Sequence, residues 1–181
     1  DIGLGIPAEP LFRFSYMYID DKAIEPKMTK VVMHRMLMET YSPDSEVIIT
    51  TRIDNDDAIN VDYVSWIRET TWRLLSENEG IPFIITCPNG YLYNVAANTV
   101  HKRYCEPNHF LSFVENPKDM RSVFGFRHTL IDEQGMLVAV VENKFAWLEV
   151  VHDTNVINST RHTLKCNVSV DELNRQYGTL I

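Results

Sequence analysis

The run Val47-Ile48-Ile49-Thr50-Thr51 passes without a break into Arg52-Ile53-Asp54-Asn55-Asp56-Asp57-Ala58. A short β-branched stretch of this kind is a strand signal, and here the strand ends in acidic residues. If the strand continues that far, Asp54 and Asp56 share one face, about 6.5 Å apart at about 3.3 Å per residue. Asp57 then points elsewhere or opens the next turn. Carboxylates gathered at the carboxyl end of a strand repel one another unless something positive lies between them, and that end is where open α/β sheets bind ligands. A hard divalent ion with oxygen ligands, Mn2+ or Mg2+, meets both conditions. The blander alternative is a solvated acidic loop supplying negative charge to the start of the following helix.

Competing acidic signatures fit less well. A calcium-binding EF-hand loop needs Gly at its sixth position and Glu at its twelfth, where Ile59 and Ser65 stand. A phosphatase with an aspartyl nucleophile also places two aspartates after an apolar strand, and it is the runner-up among enzymes. Gly3-Leu4-Gly5-Ile6-Pro7-Ala8 has the form of a dinucleotide fingerprint, but no strand precedes it and Pro7 interrupts it.

The surrounding pattern predicts an α/β domain whose parallel part precedes a mixed part. Leu11 to Ile19 reads as a strand, and Lys27 to Tyr41 has apolar residues at helical spacing after Pro26. A second helix is expected from Asn60 as N-cap to about Gly80. Pro82 to Cys87 reads as a strand, Pro88-Asn89-Gly90 as a hairpin turn, and Tyr91 to Val95 as the returning strand. Leu137 to Val141 and Trp147 to Val151 are further strands, the first entered through a turn at Gln134-Gly135. Ser169 with Glu172 forms a capping box opening a short last helix. Trp66, Trp72 and Trp147 read as packing residues.

With 181 residues, 45% of them hydrophobic, the chain suits one compact domain with a real core. The net charge of −8 argues against a nucleic-acid partner, which needs a positive footprint. A phosphate-bearing ligand would instead need a metal or a few placed Arg and Lys residues. Cys87, Cys105 and Cys166 are an odd set without CxxC spacing, favouring a reducing compartment over a disulfide framework or a structural zinc site. No apolar run approaches the roughly 18 residues that cross a bilayer.

Ile48 to Ile59, with its Arg52-Ile53-Asp54-Asn55-Asp56-Asp57 core, closely resembles the DxD region of bacterial rhamnosyltransferases, relatives of the GT-A glycosyltransferases. Two further stretches agree in order: Pro107-Asn108-His109-Phe110-Leu111-Ser112-Phe113-Val114-Glu115, and Trp147-Leu148-Glu149-Val150-Val151-His152-Asp153-Thr154-Asn155. Together they span about Val47 to Asn158. Asp153 departs from the Gly expected after the second stretch's His.

The resemblance implies a single GT-A-like domain over 1–181, a mixed sheet with flanking helices. Residues 1–60 would form the strand and helix part ending in the DxD motif, and 61–181 the acceptor-side part. Only one strand–helix unit precedes Asp54, so the resemblance also implies a missing N-terminal portion.

In function it implies transfer of a sugar, rhamnose by the family's name, from a nucleotide-diphospho-sugar donor to a glycan or glycolipid acceptor in bacterial polysaccharide biosynthesis. The setting would be cytoplasmic, at the inner face of the membrane. Asp56 would ligate the metal, Asp54 would bind the metal through water or the donor's ribose, and His152 would complete the metal site. Arg52, Asp57 and Asn155 would support the acids or the substrate. Glu115, following the apolar Phe110 to Val114, is the candidate carboxylate base, with Asp119 and Asp132 no worse placed and His128 an acceptor-site or core residue. The alternative from a different class is a non-catalytic metal- or glycan-binding remnant of such an enzyme.

Overall fold

The computed structural model describes residues 35, 37–39, 42, 44–54, 56–77, 80–106, 108–125, 135–152 and 163–179. The chain divides into two compact units, Asp1–Ser45 and Glu46–Ile181. In the first unit Arg35 and residues 37–39 are helical, and Arg35 pairs with Glu39 one turn on at 3.0 Å. The strand expected at Leu11 to Ile19 and most of the helix expected from Lys27 lie outside the described residues.

The second unit is built on two mixed sheets. The first has the order β1 (Ile48–Thr51), β6 (Ser112–Glu115), β3 (Phe83–Thr86), β7 (Leu137–Val140). β6 runs antiparallel to both β1 and β3, while β7 is parallel to β3. The second sheet has the order β2 (Ala58–Ile59), β8 (Trp147–Val151), β4 (Asn89–Asn94), β5 (Thr99–Tyr104), β9 (Leu164–Lys165). Only β4 and β8 are parallel there. The described neighbour of β1 is thus antiparallel, because the apolar stretch before Glu115 returns as a strand beside it.

The chain passes back and forth between the sheets. Its short crossings are residues 52–57, Cys87-Pro88, residues 105–111 and residues 141–146, while α1 (Tyr63–Ser76) makes the longer one from β2 to β3. Asn108 ties two of these passages together. Its amide donates to the carbonyls of Cys87 at 2.9 Å and Cys105 at 3.3 Å, and its oxygen accepts from the Phe110 N–H at 2.8 Å. A fully buried amide with its bonds satisfied in this way fixes the crossings instead of weakening the core.

Three apolar clusters hold the unit. Tyr63, Ile67 and Leu74 on α1 pack with Phe83, Ile85, Phe110, Val114 and Trp147 between the sheets. The rings of Phe110 and Trp147 stack at 5.1 Å, and Tyr63 donates to the Phe110 carbonyl at 3.0 Å. On the far face of the first sheet, Ile84, Leu111 and Phe113 meet Val123. The last helix, α2 (Val170–Tyr177), lays Leu173 and Tyr177 on Tyr91, Tyr93, Leu148 and Val150 of the second sheet. Its start is the expected cap: the Ser169 hydroxyl accepts from the Glu172 N–H at 3.2 Å, and Gly178 ends it at φ 62°.

Two local expectations need correction. Asn60 does not cap α1, which begins at Tyr63. The Asn60 side chain accepts from the Asp62 N–H at 2.9 Å and donates to the Phe145 carbonyl at 3.3 Å, so it shapes the entry loop instead. Asn89-Gly90 is not a hairpin turn, because β3 and β4 belong to different sheets. Gly90 sits inside β4 beneath the indole of Trp147, where a Cβ would come within 2.1 Å of Cδ2. Close approach of a ring to the backbone, not a positive φ, is what calls for glycine there. The true hairpin joins β4 to β5.

Candidate active site

The acids occupy the first crossing between the sheets. β1 stops at Thr51, opposite Ser112 where β6 begins, and one further bond, from the Arg52 N–H to the Leu111 carbonyl at 3.3 Å, ends the pairing. The strand does not run on through the acids. They form a turn instead, with the Asp57 N–H bonded to the Asp54 carbonyl at 3.2 Å. Asp54 and Asp56 are therefore placed by a turn, not by strand alternation.

Each acid has its own partner. Arg52 donates from Nε and Nη2 to Asp54 Oδ1, at 3.3 and 3.2 Å. Asp56 Oδ2 lies 3.0 Å from His152 Nε2, at the end of β8. Asp57 is the most enclosed, its side chain only 3% exposed. Its Oδ1 accepts from the Val150 N–H at 3.0 Å, and its Oδ2 faces His109 Nε2 at 3.4 Å. His109 comes from the 105–111 crossing, its ring against Phe110 at 4.0 Å. Elements far apart in sequence thus deliver two imidazoles to one run of aspartates.

Three of these residues are grouped closely enough that they could hold a metal ion. Asp54, Asp57 and His109 each offer one atom, all within 4.8 Å of one another. Ligands held about 2.1 Å from one octahedral ion stand about 3.0 Å apart when adjacent and about 4.2 Å when opposite. The Asp56–His152 and Asp57–His109 separations fall in or near that range, and both also fit a carboxylate orienting an imidazole. Mixed carboxylate and imidazole donors favour Mn2+ over the harder Mg2+.

A half-buried ion pair adjoins the aspartates. Glu149, on β8 and 2% exposed, pairs with Arg103 of β5. Burial pushes the Glu149 carboxyl above the usual glutamate range, against the opposing pull of Arg103 and His109; Asp57 pushes it further up.

The chain matches, over residues 13–164, the family described as "Putative rhamnosyl transferase". It belongs to that family. No curated protein and no solved structure matches it significantly. The rhamnosyl transferase match takes in the aspartates, His109, Glu149 and His152, while α2 lies beyond it.

Glu115 is not brought to the aspartates. It pairs with Ile48, at the opposite end of β1 from Asp54. Its carboxylate is buried and accepts from the backbone N–H groups of Arg121 at 2.5 Å and Ser122 at 2.8 Å. Beside it the Val123 N–H donates to Thr50 Oγ1 at 2.8 Å, so Glu115 and Thr50 together pin residues 121–123 to the sheet. Asp119 is exposed in a short 3-10 turn. Asn155, His128 and Asp132 lie outside the described residues. His109 and the Arg103–Glu149 pair are what sequence reasoning passed over. His109 and Glu149 stand in the two stretches that carry the family resemblance, which was the available signal; Arg103 had none.

Proposed function

We propose that this rhamnosyl transferase family member is a metal-dependent glycosyltransferase of GT-A-like architecture. It moves a sugar, rhamnose by the family's name, from a nucleotide-diphospho-sugar donor to a glycan or glycolipid acceptor. The observation that carries the reading is the gathering of Asp54, Asp57 and His109, with one atom of each within 4.8 Å of the others, alongside the Asp56–His152 contact from the same acidic run, all inside the family match. These are the residues that would hold Mn2+ or Mg2+.

The ion, when bound, supplies positive charge for the diphosphate that leaves as the glycosidic bond breaks. The chain's own residues prepare the place. The Val150 N–H and His109 fix both oxygens of Asp57, so that carboxylate does not have to reorganise when a ligand arrives. Arg52 offsets the charge of Asp54, and both remain open enough to meet a ribose or a phosphate. Asn155, three residues past His152, is a proposed donor contact. Among the described residues no helix is long and apolar enough to cross a membrane, and we place the reaction at the inner face of the membrane, where a glycolipid acceptor is reached.

The test is release of nucleoside diphosphate from a panel of nucleotide sugars with Mn2+ or Mg2+, with and without glycan acceptors. Wild-type turnover that disappears in Asp56→Asn supports the reading. Metal binding without turnover on any donor would favour the non-catalytic remnant, and neither binding nor turnover would overturn both.

A further inference from the structure

We propose that Arg103, held by Glu149, is the protein cation that grips the phosphates of the nucleotide donor, an inference that rests on the function proposed above. The register of the second sheet places it. Arg103 stands opposite Gly90, and Gly90 opposite Trp147, so the three share a row and a face. Glu149, two residues on from Trp147, shares that face as well. The opposite face, carrying Leu148, Val150, Tyr91 and Tyr93, is covered by α2. Arg103 and Glu149 therefore lie on the side where Trp147 stacks on Phe110, and the N–H of Val150, the residue after Glu149, bonds to Asp57.

The chemistry divides the two residues' tasks. Glu149 is too buried to meet a ligand, and among the described residues its hydrogen-bond partner is Arg103 Nη1. Arg103 is partly exposed and gives Nη1 alone to that bond, which leaves Nε and Nη2 with donors for another acceptor. Arg52 differs: its Nε and Nη2 are both committed to Asp54. A planar guanidinium fork matches two phosphate oxygens, and anchoring one nitrogen beforehand removes rotamer freedom that would otherwise be lost on binding. In a chain of net charge −8, an anionic donor has to be received by such placed cations.

The experiment titrates the full chain, preloaded with Mn2+, with inorganic pyrophosphate and then with UDP, dTDP and GDP. The main variant is the double substitution Arg103→Gln with Glu149→Gln, which removes both charges together and so leaves no buried carboxylate unpaired. We expect roughly tenfold to a hundredfold weaker pyrophosphate binding, with Mn2+ affinity and melting temperature close to wild type. Should the double variant fail to fold, Arg103→Lys keeps the charge on Glu149 but loses the fork, and it should weaken binding several-fold. Pyrophosphate affinity equal to wild type in a folded variant would make the pair purely structural and overturn the proposal alone. A wild-type chain that binds Mn2+ but neither pyrophosphate nor any of the three nucleotides would overturn the transferase reading along with it.

Discussion

His152 Nε2 stands 3.0 Å from Asp56 Oδ2, although 96 residues of chain separate them. Both side chains are about one-third exposed, at 36% and 32%, so the contact is reachable from solvent. It is short enough for a hydrogen bond and equally for adjacent ligands on one ion. In either case loss of one partner harms the site: a direct ligand is removed, or its orientation is. Asp56→Asn and His152→Ala are each expected to lower Mn2+ affinity at least tenfold by calorimetric titration. A variant that binds as tightly as wild type strikes its residue from the site.

Glu115 gives the opposite expectation. Its two oxygens hold the backbone of Arg121 and Ser122, far along β1 from the aspartates. In Glu115→Gln one oxygen becomes an amide N–H facing another N–H, in a buried place. The cost should be about 1–3 kcal/mol of stability, seen as a lower urea midpoint, with Mn2+ affinity unchanged. A variant that is fully folded, with an unaltered midpoint, yet inactive in sugar transfer would return Glu115 to the role of base.

These residues also show what the sequence could and could not convey. The strand ending in acids was legible because β-branched and acidic runs are local patterns, and so was the Ser169 cap. The pairing of β1 was not, since it depends on residues 112–115 returning beside it. His109 was hidden because a single imidazole carries no periodicity, and its partner Asp57 lies 52 residues away. Glu115 was misleading for a related reason: a carboxylate after an apolar run looks alike whether it faces a substrate or two backbone N–H groups. Asn89-Gly90 is a strong hairpin signal read locally, and only the Trp147 ring above Gly90 explains the glycine otherwise.

That ring makes Gly90 a sensitive position. Gly90→Ala would put a methyl group about 2.1 Å from a buried indole whose Nε1 is bonded to the Cys87 carbonyl at 2.8 Å. Trp147 also stacks on Phe110, so a shift would disturb the seam between the sheets next to His109. Destabilisation of about 1–3 kcal/mol or more is expected, as for other overpacked cores. Tryptophan fluorescence during urea unfolding would report it, and an unchanged midpoint would mean that Trp147 does not sit over this glycine.

The last prediction concerns alkaline pH. Burial pushes the Cys87 thiol up from 9.0 to about 12, and it raises the phenols of Tyr63 and Tyr177 well above their ordinary value of 10.0. In each case the folded chain keeps a proton that the unfolded chain releases. Below about pH 9 both states hold these protons and the folded state has its full stability. Above that pH the unfolded state binds fewer protons, so stability falls as pH rises, by up to about 1.4 kcal/mol per pH unit for each group that titrates. The loss from Cys87 begins near pH 9 and continues towards about 12, and the two tyrosines add to it from about pH 10 upwards. Urea midpoints measured from pH 8 to 11 should decline increasingly steeply. Cys87→Ser would not isolate the thiol cleanly, because a hydroxyl in this apolar site brings its own cost. Cys87→Ala is the better comparison. Its midpoint is lower at pH 8 because of the lost volume, but it should fall less between pH 9 and 10 than that of the wild type. Parallel curves for the two proteins would mean that Cys87 titrates normally and is not enclosed as the structure has it.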